Sequence, residues 1–275
     1  MKFDLHVHTY YSDGLNSPAT VVDNAMDRDL NGIAITDHDT ILGIEEALSY
    51  CKKQRNFHLI PGLELSCIHD NSEVHILAYF IDYKNTEILT VTDELRRHRI
   101  IRVKKIIEKL RELNIKIDFD KIIEEYDNDF VGRVAVAREL IKEGYTSSIQ
   151  EAFQRYLNPG RAAYVERYKL SIDDAISLIK RADGIPVLAH PGLLSDKYLI
   201  QLCISKGIEG IEYIHSKHTA KQVKNFKKIA ENHDLIATGG SDCHGEIING
   251  DLLLGKYTVD LNSIPEMKER LNDNL

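Results

Sequence analysis

Short apolar runs alternate with amphipathic stretches along most of this chain, and the two periods together predict an α/β protein. Up to about Tyr83, the runs Lys2 to Leu5, Gly32 to Ile35, His58 to Pro61 and Val74 to Phe80 read as strands, separated by helix-type stretches from Ser17 to Leu30 and from Leu42 to Gln54. That is the rhythm of βα units around a parallel sheet. Ser17-Pro18 marks a helix start, with serine at the cap and proline in the first turn. From Asn85 to about Leu170 the rhythm changes. Glu87 to Leu113 spaces Leu95, Ile100, Val103, Ile106, Ile107 and Leu110 along one long charged helix, and Ile122 to Tyr126, Val134 to Glu143 and Ser148 to Tyr156 read as shorter helices. Residues 85–170 therefore form a helical insertion. Beyond it the βα rhythm returns: helix Ile172 to Ala182, strand Ile185 to Ala189, helix Tyr198 to Lys206, strand Gly210 to Ile214, helix Ala220 to Asn232, strand Leu235 to Gly239, strand Lys256 to Val259 and helix Pro265 to Leu271. The two halves supply about seven strands, near the eight of a closed barrel. The expected fold is α/β: a distorted (β/α)7 TIM-like barrel from residues 1–84 and 171–275, with the helical subdomain inserted at 85–170.

Composition narrows the function classes. With 275 residues, 43% apolar and 28% charged, the chain can bury a sizeable core and carries none of the bias of a disordered protein. It has no apolar run long enough to span a bilayer, and its start lacks the apolar stretch of a signal peptide, so the expectation is a cytoplasmic protein with no membrane partner. Cys51, Cys67, Cys203 and Cys243 lie far apart with no C-x-x-C pair, which argues for free thiols over a thiolate metal site or a disulfide framework. Cys243 lies between Asp242 and His244, where an extended backbone would turn it away from both. A net charge of -8 argues against stable duplex nucleic acid bound through a broad basic surface. It does not exclude an anionic substrate, because bound divalent cations can dominate the local field.

Nine residues of metal-ligand type, His6, His8, Asp13, His38, Glu64, His75, His190, Asp242 and His244, sit at or just past the ends of strand-like runs. In parallel α/β folds that is where sites form. The two-residue spacing of His6-Val7-His8 puts both imidazoles on one side of a strand, although two ordinary polar strand residues would look the same. His38 emerges from a buried strand as a ligand candidate, flanked by Asp37, which could accept its second ring N–H, and Asp39, which could cap the next helix. Glu64 lies between two leucines, where an ionised carboxylate is costly unless paired or metal-bound; it could bridge two cations or face solvent. His75 is less distinctive alone. Ala189-His190-Pro191-Gly192 and Gly240-Ser241-Asp242-Cys243-His244-Gly245 end apolar strands in glycine-containing turns. Each has a plain structural reading by itself, but nine together point to a polynuclear metal site.

These motifs, H-x-H followed by S-D-G, then T-D-H-D, G-x-E-x-S, V-H-I-L, A-H-P-G and G-S-D-x-H-G, resemble in order those of the PHP (polymerase and histidinol phosphatase) family of metal-dependent phosphoesterases. The Tyr11-Ser12-Asp13-Gly14 form and an insertion ending near Arg161 to Arg167 are most similar to the members that hydrolyse nucleoside 3',5'-bisphosphates or trim short RNA from the 5' end; the histidinol phosphatases are a poorer match. The resemblance implies three divalent metals: His6, His8, Glu64 and Asp242 for the first, Glu64, His75 and His190 for the second, Asp13, His38 and His244 for the third. Such a mixed nitrogen and oxygen set suits Mn, Fe or Zn, and the nucleophile it implies is a metal-bridging hydroxide. Substrate residues follow with less support. Arg133 matches an arginine of a G-R-P-H stretch in which Val134 and Ala135 here replace proline and histidine, so it is either a phosphate ligand or a solvated helix-start residue. Arg161, Arg167 and Tyr164 are further candidates, Tyr164 by stacking on a base or merely by packing. His215 or His218 could protonate the leaving group. Arg96, Arg97, Arg99, Arg102, Lys104 and Lys105 read as a solvated helix face. The expected partner is a phosphorylated small molecule or short oligonucleotide. Competing readings are another phosphomonoesterase such as histidinol-phosphate phosphatase, a C–N hydrolase using similar metal chemistry, and a non-catalytic scaffold.

Overall fold

The computed structural model describes residues 1–54, 56–70, 72–125, 131–248 and 250–273. They fall into two compact units, Met1–Thr92 with Lys169–Leu275, and Asp93–Tyr168. The sequence boundaries at 84/85 and 170/171 thus move to 92/93 and 168/169, because the long helix begins while its chain still belongs to the first unit.

In the first unit the strands are β1 (Lys2–Val7), β2 (Gly32–Ile35), β3 (His58–His69), β4 (Ser72–Tyr79), β5 (Leu170–Ser171), β6 (Ile185–Leu188), β7 (Gly210–His215), β8 (Ile236–Gly240), β9 (Ile247–Ile248), β10 (Asp251–Leu252) and β11 (Val259–Asp260). The main sheet runs β11-β1-β2-β3-β4-β6-β7-β8, with β5 paired to β3. Just past β8 the chain turns back onto β1: Asp242 N donates to His6 O at 2.9 Å and His8 N to Cys243 O at 3.0 Å. Those two bonds bring the sheet nearly to closure as a barrel. Gly240 permits the approach, since a Cβ there would lie 2.4 Å from the His6 Cβ and backbone nitrogen.

Two expectations are corrected here. β4 is antiparallel to both of its neighbours, β3 and β6, so it is the return arm of a hairpin and not a member of a βα repeat. The hairpin forms because β3 does not stop at Pro61; it continues to His69, and Asp70 takes a left-handed φ of 51° that reverses the chain. The strand expected at Lys256 to Val259 shrinks to Val259–Asp260, paired antiparallel with Lys2 and Phe3, while Lys256 turns to Asp251.

Helices α1 (Pro18–Met26) and α2 (Leu42–Cys51) cover the front half of the sheet. Ser17 caps α1 by accepting from Thr20 N at 3.1 Å, and the helix stops short of Leu30 where Asp29 adopts φ 56°. Asp39 does not cap α2. It takes φ 54° and its carboxylate crosses to Ser66 N at 2.8 Å, which ties the end of β2 to β3. The barrel core includes Phe3, Leu5, Ile60, Leu77, Tyr79 and Val187.

Helix α3 (Thr86–Glu112) leads into the second unit, where α4 (Phe119–Glu125), α5 (Arg133–Lys142) and α6 (Ile149–Ala152) follow; the tail of the expected Ser148 to Tyr156 helix winds as a π-turn over Phe153–Leu157. The 3.6-residue period decides this unit: Val103, Ile106, Ile107 and Leu110 join Val136, Leu140 and Leu157 in one apolar cluster. Arg96 and Arg97 pair with Asp93 on the exposed side of α3. Tyr126 and Phe130, from the expected helix and arginine motif, lie outside the described residues. The back half of the barrel is covered by α7 (Ile172–Arg181), α8 (Tyr198–Ser205), α9 (Ala220–Asn232) and α10 (Pro265–Asp273), with α7 and α9 capped by Ser171 and Thr219.

Candidate metal centre

Alternation along β1 sends His6 and His8 to one side while Val7 enters an apolar cluster with Cys243 on the other. Cys243 therefore faces away from its two neighbours, as an extended backbone requires. The Nε2 atoms of His6 and His8 each lie 3.3 Å from Glu64 Oε2, and 3.4 and 3.2 Å from Asp242 Oδ1. Metal–ligand bonds of about 2.0–2.1 Å in a tetrahedron put donor atoms roughly 3.3–3.4 Å apart. Among the described residues, His6 Nε2, His8 Nε2 and Glu64 Oε2 are buried and make no hydrogen bond. Buried polar atoms that converge without bonding each other are costly, and a cation among them removes the cost. The donor set and its spacing fit a divalent metal.

Glu64 sits at the junction of everything else. Its backbone is fixed on both sides, Glu64 N donating to Asp37 O at 3.1 Å and Glu64 O accepting from Asp39 N at 2.9 Å. Beyond the two β1 histidines, its Oε2 lies 3.0 Å from His38 Nδ1, and its Oε1 lies 3.0 Å from both His75 Nδ1 and His190 Nε2. Five imidazoles from β1, the end of β2, β4 and the end of β6 thus meet one carboxylate. At the rim, Asp13 Oδ1 is 3.2 Å from His244 Nε2 and 3.6 Å from His8 Nδ1, and Asp13 Oδ2 is 3.8 Å from His38 Nε2. All nine sequence candidates converge. His190 at φ 25° and Asp242 at φ 56° hold left-handed backbone that is rare for residues other than glycine, a strain found where the surroundings enforce a geometry.

The electrostatics follow from burial opposed by pairing. Burial alone would raise the Glu64 carboxyl, but His38, His6 and His75 hold it well below the usual range. Burial would lower His6, yet Glu212, Glu64 and Asp242 hold it well above its ordinary value. Burial likewise opposes the shift of His75, which Glu64 and Glu73 push up to about 10, and of His244, which Asp13 pushes up to about 9. Burial pushes His38 down to about 3, into the neutral form a ligand needs. Protons on these rings and divalent cations compete for the same carboxylates.

Residues around the ring are placed unequally. Asp37 accepts from Thr9 N at 2.7 Å, Thr9 Oγ1 at 2.6 Å and Ser12 Oγ at 2.5 Å. It thus supports the site through the loop after β1 and Ser12, whose hydroxyl lies 3.5 Å from His8 Nδ1. His215 Nδ1 accepts from Lys217 N at 3.2 Å, which leaves the Nε2 proton directed at Asp242 Oδ2, also 3.2 Å away. His218 uses both nitrogens locally, Nδ1 donating to Tyr213 O at 3.0 Å and Nε2 accepting from Gly192 N at 3.1 Å. Arg133, Arg161, Tyr164 and Arg167 belong to the second unit. Arg133 lies at the start of α5, donates to Leu157 O at 3.3 Å and stacks over the Phe153 ring. Tyr164 O accepts from Lys109 Nζ at 2.7 Å.

Two carboxylates were missed in the sequence. Glu212, fully buried in β7, lies 3.0 Å from His6 Nδ1, and burial would raise it but His6, His215 and His190 hold it low. Glu73 reaches His75 Nε2 at 3.2 Å and is itself held by Lys169 at 2.8 Å. The signal for Glu212 was available: a carboxylate within the apolar run Gly210 to Ile214, the same feature that marks Glu64.

The PHP domain signature matches residues 4–180, well over half of the sequence. The chain belongs to the PHP domain family. This PHP protein is 32% identical over 249 residues to a 3',5'-nucleoside bisphosphate phosphatase of Chromobacterium violaceum, covering 88% of this chain and 87% of that one. It is 32% identical over 248 residues to a 5'-3' exoribonuclease of Haemophilus influenzae, covering 88% and 90%. Among solved structures, a protein of Bifidobacterium adolescentis provisionally described as a metal-dependent phosphoesterase superposes with a TM-score of 0.84 at 29% identity, covering 98% of this chain and 96% of that one.

Proposed function

We propose that this PHP protein is a metal-dependent phosphoesterase whose substrate is a nucleotide-type phosphomonoester, such as a nucleoside 3',5'-bisphosphate or the 5' end of a short RNA. The observation that carries it is Glu64, a buried carboxylate with imidazole nitrogens at 3.0–3.3 Å on both oxygens. Three divalent cations, Mn, Fe or Zn, are assigned to His6, His8, Glu64 and Asp242; to Glu64, His75 and His190; and to Asp13, His38 and His244. His38 stands between pockets, offering Nδ1 to Glu64 and Nε2 to Asp13. Such cations would supply Lewis acidity, making water a nucleophile near neutral pH and neutralising phosphoryl charge.

The chain's own groups do the rest. Glu64 and Asp242 spread negative charge where two β1 histidines converge, and Asp37 fixes the loop that carries Asp13. His215 holds a proton at Nε2 facing the cluster and is the candidate donor to the leaving group; His218, with both ring nitrogens engaged, pins the turn after β6 to the end of β7. Arg133 is the candidate phosphate ligand in the second unit, joined there by Arg161, Arg167 and Tyr164. No helix of the described residues is long and apolar enough to cross a membrane. All four cysteines are buried free thiols, which supports placing the protein in the cytoplasm.

Phosphate release from 3'-phosphoadenosine 5'-phosphate, phosphate or mononucleotide release from 5'-phosphorylated oligonucleotides, and phosphate release from histidinol phosphate should be measured with Mn, Fe or Zn supplied, with an amide substrate alongside. Release from the first two is expected to dominate. Preference for histidinol phosphate would overturn the substrate class, and amide cleavage with no phosphoester cleaved would overturn the reaction.

A further inference from the structure

Glu212 is used twice. Its side chain is wholly buried, Oε1 lies 3.0 Å from His6 Nδ1, and Oε2 accepts the backbone N–H of His190 at 2.7 Å. His6 faces Glu64 Oε2 and Asp242 through its other ring nitrogen, while His190 faces Glu64 Oε1. The two ligand candidates held by Glu212 thus belong to different pockets. A carboxylate on Nδ1 keeps the proton there and leaves Nε2 as the free lone pair, the form in which a histidine binds metal. On its second arm the constraint is on the backbone: His190 sits at φ 25° and ψ 59°, and a charged acceptor for its N–H holds that peptide and aims its ring. Glu73 provides the contrast. It contacts one ligand candidate, His75, is about half exposed, and shares its charge with Lys169.

We propose that Glu212 is a positioning residue that couples two metal pockets, setting the tautomer of His6 with one oxygen and the backbone of His190 with the other. The inference rests on the reading of His6 and His190 as metal ligands. Glu212→Gln keeps the shape but has one acceptor oxygen, so either His6 Nδ1–H or His190 N–H must face an amide NH2. Support from a neighbouring carboxylate is typically worth about 10–100-fold in metal affinity.

The experiment compares full-length wild type, Glu212→Gln and Glu73→Gln by chelator competition with Mn, counting equivalents and their affinities, together with histidine side-chain nitrogen NMR of the Zn-loaded wild type. Glu212→Gln is expected to weaken two equivalents, each by about 10–100-fold, and Glu73→Gln only one. The wild-type spectrum should show His6 protonated at Nδ1. Weakening of one equivalent or none in Glu212→Gln overturns the coupling. Should that variant not fold, a wild-type His6 carrying its proton on Nε2 overturns the proposal by itself. Wild type that binds no divalent cation overturns the reading of the site, and this inference with it; normal wild-type binding with an unaltered variant overturns only the inference.

Discussion

The inner pocket around His6, His8, Glu64 and Asp242 and the rim pocket around Asp13, His38 and His244 are built from the same residue types, yet burial separates them. Inner donors lie 3.2–3.4 Å apart, and the His6, His8 and Glu64 side chains are fully buried. At the rim the separations stretch from 3.2 to 3.8 Å, and Asp13 and His244 are 36% and 27% exposed. Where water is excluded, unmatched charge is expensive and geometry must be tight; where water enters, it screens and substitutes. The inner pocket therefore depends on every member, and the rim tolerates loss.

The largest test of that contrast is Glu64→Gln, which should remove together the two metals assigned to Glu64 and lower phosphate release by more than the roughly 100-fold typical of supporting residues; retention of every metal equivalent would erase the contrast. Next comes Gly240→Ala, where the new Cβ meets His6 at 2.4 Å. Such overpacking costs about 1–3 kcal/mol, visible as a lower melting temperature with weakened inner metal. Gly245, beside the rim at φ 87°, gives the comparison: alanine there strains its own backbone by about 1–2 kcal/mol and meets only side chains, Asn16 Nδ2 at 2.7 Å and Leu15 Cβ at 3.2 Å, away from His6. Asp13→Asn should then release one metal equivalent, leave the inner equivalents in place, and slow turnover by about 10-fold; loss of inner metal would show the pockets are one.

The smallest effect is a pH dependence of the metal-free protein. His244 rises to about 9 beside Asp13, so its stabilisation is complete below its unfolded value near 6.5 and disappears as pH climbs through about 9. His75, at about 10, adds the same sign. Melting with chelator present should fall from pH 6 to pH 9, and less steeply in Asp13→Asn. Metal affinity should move the opposite way, since cations displace those protons.

Much of this was legible in the chain. The period of 3.6 residues over Val103, Ile107 and Leu110 specified a buried helical face, because packing an apolar stripe needs only local spacing. His6 and His8 shared a side because β-strands alternate. Glu64 stood out because an ionised carboxylate between leucines demands a partner. Other features were not legible. Asp39 looked like a cap, but whether a short carboxylate turns to its own helix or across to Ser66 depends on which strand lies beside it. β4 looked like another βα strand, and its direction was set by the turn at Asp70. Glu212 carries the same mark as Glu64, but only its position opposite His6 and His190 gives the mark a meaning.

Sequence by itself determined the alternation of elements, the ligand chemistry and the likeness to the PHP family, because side-chain type and local periodicity are written residue by residue. Tertiary structure alone decided that β1, β4 and the ends of β2, β6 and β8 gather their side chains around one carboxylate of β3, that β8 returns onto β1 across Gly240, and that a second buried glutamate holds two of the candidate ligands at once. Those are distances between residues up to 237 positions apart, such as Ser241 N and Asp4, and only the barrel brings them within bonding range.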